Sequence, residues 1–487
     1  MNEKYRKIKV IIMGNKENKE LFFNSCRATA FVALAVFSVL LCGAETGLQL
    51  TVSLTVAYSV AAWLLGRHSA SKAGKWVLFV VAVVMTAGVV LNVWEYTSVL
   101  GGTAAYPVLN NIDASRFFRN AAEFMTDGTV SSGRFTPGMI WSMAALWCVF
   151  GKSIVYPLAL NVMLTLIAVV LSGSLSRILL ADKASVKHSD GIFVLAMALT
   201  AAVCHFLGQG MVLLKEPMVY VGFLMTIIVL ARLYKGRRMT ASQWVQFVTG
   251  CVLLSSVRSS MLMFVGLLML LLLRHAAVRR MWVSLLAMAA VMVVCYVGAL
   301  HIQGFGYERH VSTIKGSGYV PYQYLCNPRY DGYMSIVGRY MQCSPIEKIA
   351  LLPVTVAVQA AIPFPWTMMR DVPFGYSQIW NHIALPWYLL AGILLFYFAV
   401  LWWRRATSLR LWALWALLCW VITAYLYAGT VSRYVMPVVP MLVPLAVYVL
   451  EQIRSRRFVK TFKVCACGYS VLLVLALTAG YFIQMRS

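Results

Sequence analysis

Apolar residues run down this chain in blocks, and short polar or basic stretches separate the blocks. Most blocks are continuous for about 16–20 residues, long enough to cross a hydrocarbon core about 30 Å thick. They show no period-2 alternation, so an outer-membrane barrel is excluded. The pattern predicts spans at 28–43, 48–65, 76–94, 191–207, 217–233, 242–254, 259–273, 281–300, 384–403, 411–429, 434–450 and 464–484. The stretch 138–181 reads either as one span plus a re-entrant segment or as three short spans, because Gly151, Lys152 and Pro157 interrupt it. The apolar segment 347–366 holds Pro353, Pro363 and Pro365 and reads as an interfacial or re-entrant helix, with Trp366 and Trp380 as belt residues. The expected fold is an all-α polytopic membrane protein with about 13 transmembrane helices.

The basic clusters orient these spans. GRHSASKAGK (66–75), RLYKGRR, RHAAVRR (274–280), WWRRATSLR (402–410) and EQIRSRRFVKTFK (451–463) fall between apolar blocks, and DKASVKHSD (182–190) is mildly basic. Cytoplasmic loops collect Lys and Arg, so these segments mark the inner side. The chain then divides into a cytoplasmic N-terminal segment 1–27, first transmembrane helices 28–94, a first outer loop 95–137 with an interfacial helix, a bundle 138–300, a second outer loop 301–383 with an interfacial or re-entrant helix, and C-terminal helices 384–487. Residues 43–46 make a tight outer hairpin.

Composition narrows the function classes. The 487 residues are 61% hydrophobic and 12% charged, and the formal net charge is +26. Mean hydropathy is +0.77. A soluble domain carries about 25% charge. Lys and Arg sit in loops between spans, which explains the positive charge without nucleic acid. The 11 cysteines lie mostly inside apolar runs, unlike a secreted disulfide scaffold. No Walker motif and no H-E-x-x-H occurs, and no nucleotide cofactor is expected.

Acids are scarce, and this topology puts ten of them at the outer side: Glu45, Glu95, Asp113, Glu123, Asp127, Glu216, Glu308, Asp331, Glu347 and Asp371. Outer loops collect polar residues in any case, but Asp113 and Glu216 adjoin apolar runs and need a partner or water if buried. Lys215, Arg258 and Arg433 are cations beside apolar runs on the same side. Each marks either a ligand contact or a local partner, such as Glu216 for Lys215, or a snorkelling anchor.

Three segments together resemble the GT-C superfamily of membrane glycosyltransferases. IDASRFFRNAAEFMTDG followed by GRFTPGMIWSMAALWCVFGKS (112–128 and 133–153) is similar to the family's first outer loop. LLKEPMVY (213–220) is like a Lys-acid-Pro step of bacterial polysaccharide members, and SRYVMPVVPMLVPL (432–445) is like the entry to a late span. The resemblance implies a sugar taken from a polyprenyl-phosphate carrier and passed to a lipid- or glycan-linked acceptor on the outer face, in a bacterial inner membrane. It implies Asp113 as general base, with an N-cap of the helix after it as the plain alternative. It implies Arg433 with Tyr434, Lys215 and Arg258 as grips for the carrier phosphate, Arg being able to hold it bidentately. Glu216, Glu123, Arg116 and Arg134 would support the acceptor side, although Glu123 and Asp127 also read as a solvated face. Many members carry two adjacent acids in the first outer loop. Here Ala114 follows Asp113, which argues against a paired-carboxylate site for a divalent cation such as Mg or Mn. Cys326 and Cys343 lie in the second outer loop and form a candidate disulfide. A polymerase or ligase using a diphosphate-linked glycan, and a lipid-linked sugar transporter or flippase, are the competing readings.

Overall fold

The computed structural model describes residues 24–69, 71–99, 101–106, 112–128, 136–180, 186–275, 278, 281–303, 340, 343–361, 392, 400–402, 409–427, 439–454 and 459–485. About 89% of the structure is helical, and no strand occurs among the described residues. In chain order the helices are α1 (Asn24–Cys42), α2 (Ala44–His68), α3 (Lys72–Trp94, extended by a π turn Glu95–Val99), α4 (Ile112–Asp127), α5 (Pro137–Phe150), α6 (Val155–Leu180), α7 (Val186–Ala202) and α8 (Cys204–Gly210). There follow α9 (Glu216–Tyr234), α10 (Ala241–Arg258), α11 (Met261–Leu272), α12 (Trp282–Gln303), α13 (Pro345–Ala361), α14 (Arg410–Tyr427), α15 (Val439–Arg454) and α16 (Val459–Met485).

α6 and α9 are apolar on every side, and a helix of that kind is stable only when surrounded. They form the centre. The most apolar window of each is 83% buried, against 6% for α1 and 17% for α12. α6 packs on α2, α3, α5, α7, α9 and α15, while α9 packs also on α10 and α11. The outer helices turn large aliphatic side chains outward, such as Val32, Val36 and Leu40 on α1 and Leu286, Val293 and Val297 on α12. An apolar wall of this extent belongs in lipid.

Six described helices are long and apolar enough to cross a membrane: Asn24–Cys42, Ala44–His68, Lys72–Ser98, Val155–Leu180, Glu216–Tyr234 and Trp282–Ala299. Four further apolar helices are shorter, at 137–150, 188–202, 261–272 and 410–426. The described residues therefore carry a membrane-embedded helical bundle without reaching the thirteen crossings expected. The ambiguous stretch 138–181 becomes one long helix, α6, preceded by the short α5. Ile154 N donates to Ala104 O at 2.7 Å, so α6 starts at the end of the bundle where α3 finishes. At about 1.5 Å per residue α5 reaches only about 21 Å, too short to cross alone. The expected span 191–207 is instead broken at Val203 into α7 and α8.

Small residues set the closest approaches. Gly43 is the only residue between α1 and α2, at φ 83°, and a Cβ on Gly47 would lie 2.6 Å from Val39 Cα. At the α9–α10 crossing Gly222 meets Gly250, and a Cβ on Gly250 would lie 2.8 Å from Gly222 O. Small residues let membrane helices pack backbone to backbone.

The two ends differ in chemistry. At one end Arg177 Nη1 donates to His68 O, Ser69 Oγ to Asp190 Oδ1, and His188 Nε2 lies 3.2 Å from Glu451 Oε1. These contacts gather the ends of α2, α6, α7 and α15 into one basic end. Glu45, Glu95, Glu216 and the charged helix α4 belong to the opposite, acidic end. α13 starts at Ser344, whose N and Oγ both donate to Glu347 Oε2 (2.6 and 2.8 Å) while Glu347 N donates back to Ser344 Oγ, a capping box.

Candidate functional site

At the acidic end α6 and α9 start at different depths, and helix lengths give the offset. α6 has 26 residues and α9 has 19. At about 1.5 Å per residue they span about 39 Å and about 28 Å. Both run from the acidic end to the basic end, so α9 starts about 10 Å below the start of α6.

The offset follows from the chain break between α7 and α9. α8 turns back at Gly210, where a Cβ would lie 2.2 Å from Thr165 Oγ1 and 2.7 Å from Met85 Cε. Residues 211–215 then run non-helically through the protein interior, with Met211, Val212, Leu213 and Leu214 buried. Buried irregular backbone needs partners for its carbonyls. Two fully internal asparagines supply them. Asn92 Nδ2 of α3 donates to Met211 O at 2.8 Å. Asn161 Nδ2 of α6 donates to both Val212 O and Leu214 O at 2.8 Å. This clamp presents Lys215, half-buried, at the N-cap of α9.

Glu216 opens α9, with Pro217 behind it at a position where no N–H is needed. Its Oε1 accepts from Arg258 Nη2, at the end of α10, over 2.7 Å. The side chains are 1% and 10% exposed, so this is a buried ion pair. Tyr220 lies one turn further along α9, fully buried and stacked on Phe206 with ring centroids 4.2 Å apart. Glu216 Oε2, Tyr220 Oη and Asn161 Oδ1 are buried and have no hydrogen-bond partner among the described residues. A buried polar atom left so costs about 1–3 kcal/mol. All three lie around the start of α9.

α4 and α5 pack at the same end. α5 reaches α10 at Gly138, where a Cβ would meet Ser256 Oγ at 2.4 Å. α4 lies on α5 through Phe118 and Trp147, edge to face at 4.9 Å. Phe117 and Ala121 of α4 are buried, on the same face as Asp113. Asp113 is not the N-cap: α4 begins at Ile112, so Asp113 sits inside the first turn. Its Oδ1 accepts from Arg116 Nη2 at 2.5 Å, both side chains about one-fifth exposed. Glu123 Oε1 lies 3.9 Å from Arg119 Nε on the more exposed face.

The sequence-expected residues therefore separate into groups. Glu216 and Arg258 are brought together across 42 positions, with Lys215 adjoining, and they lie below the rim rather than at an exposed loop tip. Asp113 and Arg116 pair with each other on α4. Arg134, Arg433, Tyr434 and Cys326 lie outside the described residues, so the Cys326–Cys343 bridge does too. Sequence reasoning missed Tyr220, Asn92 and Asn161. The signal available for the asparagines was a lone amide inside an apolar run, which is costly unless it serves a partner. Among the described residues no group of three or more His, Cys, Asp or Glu is placed to hold a metal ion. Set against known protein families the chain matches none, and a search of curated proteins gives no match.

Proposed function

We propose that this chain is a membrane glycosyltransferase of the GT-C kind. It would move a hexose or pentose from a polyprenyl-phosphate carrier to a lipid- or glycan-linked acceptor on the outer face of a bacterial inner membrane. The observation that carries the reading is the depth of the Lys215–Glu216–Arg258 group. α9 is about as long as the hydrocarbon core is thick, and α6 overshoots it by about 10 Å at the acidic end. The start of α9 then lies where hydrocarbon meets head groups, the level of a lipid phosphate.

In this reading the acceptor hydroxyl oxygen bonds to the anomeric carbon as the bond from that carbon to the phosphate oxygen breaks. Asp113 takes the hydroxyl proton, and the electron pair leaves with the carrier phosphate. Lys215 stands at a helix N-terminus, whose dipole favours an anion. Arg258 is tied to Glu216, so its part is to hold the start of α9 in place or to turn its fork to the phosphate. Arg433 and Tyr434 remain the proposed second grip, and the loop 301–383 the acceptor cover. The full set of about thirteen spans belongs to the same proposal.

One observation favours a second reading, a lipid-linked sugar transporter: the chain break at 203 and 211–215 is a discontinuous helix pair of the sort transporters use. Reconstituted vesicles loaded with radiolabelled polyprenyl-phosphate sugar separate the two. Asp113→Asn should abolish transfer to acceptor and keep carrier binding. Carrier crossing the bilayer at wild-type rate in Asp113→Asn, with no transfer by either protein, would replace the transferase by the transporter.

A further inference from the structure

The basic end holds a second polar cluster that the transfer reaction does not use. Arg177, in the last turn of α6, donates Nη1 to His68 O at 2.5 Å, and its guanidinium lies 5.3 Å from the Phe193 ring centroid. His68 Nδ1 lies 3.0 Å from Ser174 Oγ. Arg232, in the last turn of the neighbouring α9, is within electrostatic reach of both Arg177 and His68, and of Arg237 beyond it. Arg177 and Arg232 are both half-buried. One carboxylate acts on Arg177, that of Asp190, and its Oδ1 already accepts from Ser69 Oγ at 3.0 Å. The Arg232 side chain makes no hydrogen bond or ion pair among the described residues.

Basic side chains at this end of a membrane protein are ordinary, and most reach outward into water. Arg177 does the reverse, because the His68 carbonyl and the Phe193 ring hold it inward. Holding two guanidiniums half-buried and facing like charge is unfavourable unless an anion joins them. α7, whose Phe193 packs on Arg177, also lines a groove of about 770 Å³ against α3, polar at Ser71 and Asp190 and apolar along Ala73, Val194, Leu195 and Ala198. We propose that Arg177 and Arg232 form a phosphate-binding site at the basic end, which takes the head group of an anionic phospholipid. Guanidinium forks match phosphate oxygens, and basic pockets between transmembrane helices hold lipid head groups at this level. The groove suits one acyl chain of the same lipid. The site is independent of the proposed transfer chemistry at the other end.

Native mass spectrometry of the full chain, after exposure to mixed phosphatidylglycerol and phosphatidylcholine vesicles, tests it. Wild type should retain phosphatidylglycerol at least about tenfold over phosphatidylcholine, a difference of about 1.4 kcal/mol. Arg232→Gln removes no internal bond and should fold normally, yet lose most of that preference, and Arg177→Gln/Arg232→Gln should lose all of it. Arg238→Gln, at an exposed position of the same end, should keep it. Excess inorganic phosphate distinguishes the sources: displacement of the bound species would identify the ligand as free phosphate, persistence as the lipid. Equal retention by wild type and Arg232→Gln, or no preference in wild type, overturns the site.

Discussion

The buried Glu216–Arg258 pair predicts a coupling energy large enough to measure. Arg258→Met leaves the Glu216 carboxylate, 1% exposed, without its cation. Removing one partner of a buried pair costs about 3–5 kcal/mol, because the survivor stays desolvated. Arg258 is 10% exposed, so some water reaches that side and the lower figure applies. Glu216→Leu strands Arg258 in the same way, at about 2–3 kcal/mol. Glu216→Leu/Arg258→Met removes both charges and fills the space with apolar atoms, and should cost only about 1 kcal/mol. The cycle therefore predicts a coupling of about 4 kcal/mol. An ordinary interhelical hydrogen bond in a membrane protein gives only about 0.6 kcal/mol. Equilibrium unfolding of the four proteins in mixed micelles measures the difference. Additive single substitutions, with coupling near that ordinary value, would refute a desolvated pair and return Arg258 to solvent.

Three smaller tests follow from the same geometry. Asn161→Leu keeps the volume but strands Val212 O and Leu214 O; it should cost about 2–5 kcal/mol and raise amide exchange across 211–216, and unchanged exchange there would deny the clamp. Gly250→Val puts a side chain into the Gly222 carbonyl at a built Cβ distance of 2.8 Å; overpacking of about 1–3 kcal/mol or more should show as a lowered Tm, whereas Gly66→Val, at a position with open space around it, should change it little. Ser344 backbone and side-chain donors hold the Glu347 carboxyl below the usual carboxylate range. A lowered folded value stabilises above the ordinary Glu pKa of about 4.3 and is lost as pH falls through the lower folded one, so exchange of the first-turn amides of α13 should rise only below about pH 4, and Ser344→Ala should raise it already at pH 7.

What was legible in the chain was one-dimensional. Length and hydropathy locate α1, α2, α3, α9 and α12 within a few residues, because a continuous apolar run leaves a helix as the only way to satisfy its backbone, whereas α6 lay inside the ambiguous stretch 138–181. The helical spacing of Asp113, Phe117 and Ala121 identifies the buried face of α4. The pairing of Glu216 with Arg258 was not legible, since it depends on how α9 and α10 cross, and Gly222 and Gly250 set that. The break at Val203 was hidden for another reason. Residues 191–207 are as apolar as a span, and only Gly208, Gly210 and the two distant asparagines make the early turn stable. Asp113 reads as a cap by residue type, but Ile112 already belongs to α4 and the Arg116 contact occupies Oδ1.

Depth also weighs between surface chemistry and transport. A carrier crossing the bilayer would need its polar contacts near the midplane, about 15 Å below the hydrocarbon edge. The break at Val203 lies deepest, three residues beyond Thr200, whose Oγ1 meets Ser172 Oγ of α6 at 2.7 Å, while Gly210 is level with Thr165, ten residues into α6 from Val155. That is about 15 Å below the top of α6 and so only about 5 Å below the start of α9. From Gly210 the chain rises again through the Asn161 contacts to Lys215. Below it, α9 has an apolar, mostly buried surface from Val221 to Ala231 relieved only by Thr226, whose hydroxyl is spent on Phe223 O. The charged groups of the acidic end thus stop in the upper third of the bundle, and at mid-depth α6 and α7 share a neutral, fully buried hydroxyl pair, Ser172 and Thr200. The depth of the Lys215–Glu216–Arg258 group supports the proposed transferase, which works at the rim.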